Sequence, residues 1–279
     1  MDMNRASWKL TTALLAGAVM CLAASAQAQP AVKIGVLTDM SSIYADYGGP
    51  GSVDAARLAI EDSGMADRVQ LLSADHQNKA DNAVATAHAW FSQGVDAIFD
   101  VPTSGVALAV NGEAGRARKL VFFSTTINDR ITEEECNGYG TAWVWDTYSV
   151  GRAEARSLLK AGKDTWFMVT PDGAAGTALE QTARQAAAEN GGRVLGALHH
   201  PLGVADWSSY LLQAQASGAK AVLFGSGGAD LVNALKQARE FGRNRGRSPG
   251  NQAGVAACRT RSGSGGMLTA PGTCRRSPR

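Results

Sequence analysis

Polar chemistry in this 279-residue chain gathers at a few turns. Thr103 and Ser104 follow the apolar run 97–101 (AIFDV) and Pro102, and they open a helical pattern at 106–118. The first N–H groups of a helix lack partners, and its dipole favours an anion there. Either these two residues frame an anion site with hydroxyl donors, or Ser104 is an ordinary N-cap. Ser124, Thr125 and Thr126 open a second polar loop, 124–130. Ser41, Ser42, Tyr44 and Tyr47 share a third, 39–51. A tyrosine there offers a cleft both an apolar face and a hydroxyl, or it packs locally. Tyr148 suits either a ligand or the packing of a crossover. Asp172 either pairs with an ammonium group or closes a turn.

Other chemistries find no support. His199 and His200 are adjacent on a strand pattern and so face opposite ways, while His76 and His88 stand apart, which argues against a metal set. Glu133, Glu134 and Glu135 read as a solvated face. No glycine-rich nucleotide loop follows a strand, and Gly225-Ser226-Gly227-Gly228 is a weak signal by itself. Ser104 has no evident base in sequence, so no nucleophile is identified and the chain reads as no enzyme. No cofactor is implied.

The elements that position these loops repeat one unit. Residues 33–62 read as a buried strand, a polar loop and a helix. Strands follow at 69–74, 97–101, 120–123 and 141–145, with helices at 83–91, 106–118 and 150–160. A second series has strands at 165–169, 193–198 and 221–225 and helices at 177–190, 207–217 and 229–241. Strand, loop and helix in alternation predict parallel sheets covered on both faces, with ligands outside the carboxyl ends of the strands. Two series predict two lobes meeting near Asp146, with a cleft between them.

Both ends differ from this body. Arg5 and Lys9, an apolar run at 10–24 and Ala26-Gln27-Ala28 read as a cleavable export signal, residues 1–28. Met20 argues against lipidation at Cys21. Export implies an oxidising compartment, but the four cysteines define no disulfide framework, and Cys136 is the one in the body. Residues 29–242 carry 17 Lys and Arg against 24 Asp and Glu, whereas residues 243–279 carry eight Arg and no acid. The basic balance comes from that tail, so no nucleic-acid partner is inferred. The tail has no apolar periodicity and is expected to be disordered, as a natural extension or as out-of-frame translation after Gly242.

The segments VKIGVLTDMSSIYADYGGPG, DAIFDVPTSGVALAV, WVWDTYSVGRAEA, TWFMVTPDGAAGTALE and GAKAVLFGSGGADLVNALKQAREFG together resemble the type I periplasmic substrate-binding proteins, in the leucine and branched-chain amino-acid branch that serves ABC importers. The resemblance covers residues 29–242. It implies an α/β fold of two doubly wound parallel-sheet lobes, 29–145 and 146–242, the second incomplete, hinged around a ligand cleft. It implies a periplasmic, monomeric receptor that passes an amino acid, or a small carboxylate or amide, to a membrane permease. The family holds its ligand's carboxylate from the loop of Thr103 and Ser104, and its polar head from the loop of Thr125 and Thr126. Relatives often carry an aromatic residue where this chain has Gly173, which removes a stacking partner. A ligand-sensing module of the same fold and an inactive, poorly soluble truncated copy are the alternatives.

Overall fold

A computed structural model describes residues 32–244 and 254–257. The first lobe runs β1 (Val32–Thr38), α1 (Gly49–Asp62), β2 (Val69–Asp75), α2 (Ala80–Ser92), β3 (Ala97–Asp100), α3 (Ser104–Ala117), β4 (Leu120–Phe123) and β5 (Gly140–Ala142). Its sheet is ordered β2-β1-β3-β4-β5, and every pair is parallel. The second lobe runs α4 (Thr147–Lys160), β6 (Thr165–Pro171), α5 (Ala174–Glu189), β7 (Arg193–His200), α6 (Ser208–Ala216), β8 (Ala221–Phe224), α7 (Gly228–Asn244) and β9 (Gly254–Ala257). Its sheet is ordered β7-β6-β8-β9, again all parallel. In each sheet the chain reverses direction of build around its first strand, β1 or β6. That leaves a crevice beyond the strand ends where no crossover passes.

The local causes are plain. In α2 the buried residues Ala83, Ala87, Trp90 and Phe91 fall on one helical face. Trp90 crosses so close to β1 that a Cβ on Gly35 would lie 2.3 Å from its ring. The glycine is therefore a packing requirement. Leu37, Ile98, Val121 and Phe123 join that core from the sheet. Asp146 caps α4 by accepting from the Ser149 N–H at 2.7 Å, which fixes where the second lobe begins. Trp166 and Trp207 are fully buried in separate clusters on the two faces of the second sheet.

Two expectations are revised. The apolar run 141–145 pairs as a strand only through Ala142. Beyond it Trp143 and Trp145 are exposed, Trp143 edge-on to Phe122, which stacks on Phe99. The tail also contributes order: Gly254–Ala257 pairs with β8, from Ala221↔Gly254 to Phe224↔Ala257. A four-residue apolar island is too short to show a period, yet it is long enough to extend a sheet. The proposed export signal lies outside the described residues. Cys136 is disulfide-bonded. No helix among the described residues is long and apolar enough to cross a membrane.

Candidate functional site

A cavity of about 330 Å³ lies between the lobes, beyond the strand ends of both sheets. Its first-lobe wall is built from Tyr44 and Tyr47, Asn78, the segment 102–106, and Thr125 to Ile127. Its second-lobe wall comes from the segment 171–175, Leu179, Leu202, the turn 225–228 and Leu231. Aromatic and aliphatic side chains dominate, and Asp172 is the carboxylate among them. Among the described residues no lysine, arginine or histidine lines it.

The backbone after β3 is strained toward this cavity. Asp100, Val101 and Thr103 have φ of 84°, 55° and 72°. Each such residue costs on the order of 1–3 kcal/mol, and a β-branched residue is the least suited to that region. Several bonds hold the turn. The Val101 N–H donates to the Leu37 carbonyl at 2.9 Å, and the Thr126 hydroxyl donates to the Val101 carbonyl at 2.5 Å. The Thr103 hydroxyl donates to Asn78 Oδ1 at 2.8 Å. Asn78 is itself left-handed, and its N–H donates to His76 Nδ1 at 3.0 Å.

One result is that α3 begins without a side-chain cap. The N–H groups of Ser104, Gly105 and Val106 open its first turn, and all three residues line the cavity. The Ser104 side chain is buried and reaches the Ile127 carbonyl at 3.5 Å. Thr125 Oγ1 is buried with no partner, a donor waiting for an acceptor. Across the cleft α5 also starts uncapped, after Gly173 at φ 104°, and α7 starts at Gly228. Three helix N-termini thus converge on one cavity, a setting that favours negative charge.

The lobes touch beside the cavity. The Ala229 N–H approaches the Ile43 carbonyl at 3.5 Å, and Gly228, at φ 57°, passes so close that a Cβ would lie 2.4 Å from that oxygen. Tyr44 packs over Gly227. Burial, and then the nearby Asp230 and Asp39 carboxylates and Tyr47, push its hydroxyl up to about 12, so it stays neutral. Ser226 lies in the same turn. Its Oγ meets Nε2 of the fully buried His200 at 2.6 Å, while His200 Nδ1 meets the Pro201 carbonyl at 2.8 Å.

Of the residues singled out in the sequence, Tyr44, Thr103, Ser104, Thr125, Thr126 and Asp172 line the cavity. Ser41, Ser42 and Tyr148 do not. The Ser41 hydroxyl donates to Asp75 at 2.6 Å and that of Ser42 to Asp39, so both shape their own loop. Tyr148 is exposed, with the Arg152 guanidinium 4.5 Å above its ring. Thr103 and Thr126 contribute main chain, because their hydroxyl protons are already placed. Asn78, Ser226, Leu202 and Leu231 carried no signal of their own. Only the glycine-rich turn around Ser226 hinted at one of them.

The chain matches the model of a family described as periplasmic binding protein over residues 31–259. Among solved structures it is 44% identical to a branched-chain amino acid ABC transporter periplasmic ligand-binding protein from Burkholderia xenovorans, with a TM-score of 0.66 over 81% of this chain and 60% of that one. It is 37% identical to a periplasmic binding protein from Burkholderia mallei, with a TM-score of 0.76 over 82% of this chain and 60% of that one. A solute-binding protein from Rhodopseudomonas palustris in complex with 4-hydroxybenzoate shares the fold at 19% identity, with a TM-score of 0.70 over 81% and 60% of the two chains. No curated protein matches the chain. The chain spans about 60% of the length of the solved relatives it matches. With its two parallel-sheet lobes and the cleft between them, it belongs to the periplasmic binding protein family.

Proposed function

We propose that this protein is an exported solute receptor that holds a small carboxylate between its lobes and presents it to an ABC-transporter permease. The observation that carries the reading is the uncapped start of α3 beside the unpartnered Thr125 hydroxyl, both in the cavity wall. Peptide N–H groups and a hydroxyl suit a carboxylate, and a wall without cationic side chains leaves the charge to the helix dipoles. A volume of about 330 Å³ is at the small end for ligand sites. It fits an amino acid or a small aromatic or aliphatic acid or amide.

The reading is binding without turnover. Ser226 and His200 form a hydrogen-bonded pair, but the ring's other nitrogen meets a peptide carbonyl, where a hydrolase triad places a carboxylate. Among the described residues no cluster of three His, Cys, Asp or Glu could hold a metal ion. Delivery to a permease follows from closure of the lobes around the ligand, which makes a liganded surface distinct from an empty one. The protein acts as a monomer in the periplasm.

Calorimetric titration of the folded chain with amino acids and with aliphatic and aromatic acids tests this. Saturable, one-to-one binding of at least one carboxylate is expected. A flat response across the panel, from protein that melts cooperatively, refutes it.

A further inference from the structure

Ser226 and His200 form a buried polar pair whose protons can be placed. His200 is fully buried, and Nδ1 lies 2.8 Å from the Pro201 carbonyl, which can only accept. Nδ1 therefore carries the proton. In the neutral ring Nε2 is then bare, so at 2.6 Å it must accept the hydroxyl proton of Ser226. Trp207 and Tyr210 pack edge-on against the ring, at 4.6 and 6.1 Å between centroids, and restrict its rotation. A hydroxyl normally donates and accepts as needed. This one has had its donor direction assigned, and its oxygen keeps lone pairs only.

We infer that His200 fixes Ser226 as a hydrogen-bond acceptor on the second-lobe wall, and that this pair selects ligands carrying a donor at the end opposite their carboxylate. The inference rests on the receptor reading above. The first-lobe wall supplies donors, from the start of α3 and from Thr125. A ligand held there by its carboxylate turns its other end toward the turn 225–228. An ammonium, amide or hydroxyl group at that end finds an acceptor in Ser226. A plain hydrocarbon end leaves the oxygen desolvated and unmatched, and such mismatches are the ones that discriminate strongly. Ser226 is thus a specificity residue, and His200 is a positioning residue that acts through it.

The test uses two ligand pairs that differ at one donor on the end opposite the carboxylate: 5-aminopentanoate against pentanoate, and 4-hydroxybenzoate against benzoate. In the 279-residue chain the donor-bearing member of at least one pair should bind about tenfold tighter or more. Ser226→Ala should bring that ratio to within about twofold of unity, by weakening the donor-bearing member and by relieving its partner acid of the unmatched oxygen. Separately, nitrogen-15 NMR of the imidazole should show His200 protonated at Nδ1 and bare at Nε2. This readout needs no ligand and reports the direction of the Ser226 bond, while the loss of preference in Ser226→Ala reports its use in selection. A preference that survives Ser226→Ala, or an Nε2-protonated His200, overturns the inference while leaving the receptor reading intact. Failure of every acid to bind overturns both.

Discussion

Replacing Gly228 by alanine tests how the two lobes close. The added Cβ would lie 2.4 Å from the Ile43 carbonyl oxygen and 3.4 Å from its carbon, so the atom it meets is backbone of the opposite lobe. A contact that short must open by most of an ångström, and neither partner is a flexible side chain. Two penalties follow, and they act on different equilibria. The residue sits at φ 57°, where alanine is disfavoured by about 1 kcal/mol, whether the lobes are open or closed. This first penalty lowers stability and leaves affinity unchanged. The clash exists only when the lobes are together, and forced overpacking of this kind costs about 1–3 kcal/mol. Because ligand affinity is reduced by any penalty confined to the closed state, Kd should rise by roughly 5- to 150-fold. Gly227→Ala is the control. Its Cβ would meet Tyr44 Cε1 at 3.6 Å, an ordinary contact, so it carries no closure penalty and its affinity should fall less than that of Gly228→Ala. Titration calorimetry gives both constants, and small-angle scattering with saturating ligand shows whether Gly228→Ala stays open. Equal affinities for the two variants would refute the closure argument.

Three further outcomes are expected. Gly105→Asp places a carboxylate on the first turn of α3, where a Cβ meets nothing within 4 Å. It should raise the melting temperature slightly, from about 0.3 kcal/mol of helix propensity and a dipole term of about 0.3–1 kcal/mol, and weaken an anionic ligand at least tenfold. Retained affinity would move the anion site elsewhere. Gly35→Ala drives a methyl to within 2.5 Å of two Trp90 ring atoms and should lower stability to urea by about 2 kcal/mol or more. Glu113, buried between α2 and α3, is held below the ordinary glutamate range first by its bond to His88 and then by Arg116, against the opposing effect of burial. A depressed folded pKa gives stability that is fully present above about pH 4.3 and lost as pH falls through the folded value. His88→Gln should therefore reduce the loss of stability between pH 5 and pH 3, measured by urea midpoints.

The alternation of apolar runs, polar loops and helical periods was enough to expose both sheets, because burial on two faces makes each strand a continuous apolar word. The loop of Thr103 and Ser104 was legible for the same reason: it stands at a strand end that opens a helix. What could not be read was which hydroxyl keeps a free proton. Thr125 does and Thr126 does not, and the difference is set by the Val101 carbonyl, 25 positions away. That Ser41 and Ser42 turn their hydroxyls to Asp75 and Asp39 and stay out of the cavity wall could not be read either, because both acids look like ordinary strand-end residues in the sequence. Ser226 gains its role only from His200, on a different strand, and adjacent histidines gave no sign that one of them was buried. The run 141–145 reads as one strand because its residues are apolar, although Trp143 and Trp145 lie beyond the paired part and are exposed.

The cavity wall has a chemical consequence. Three helix starts supply its positive character, and among the described residues no histidine, lysine, arginine or cysteine lines it. Peptide dipoles neither gain nor lose protons, and the side chains that ordinarily change charge near neutrality are missing from the wall. Its attraction for an anion is consequently a permanent property of the backbone. A receptor of the kind proposed would therefore hold an anion through backbone rather than through a cationic side chain, and loss of capture in acid would involve only the carboxyl groups in the cleft, the solute's own and that of Asp172.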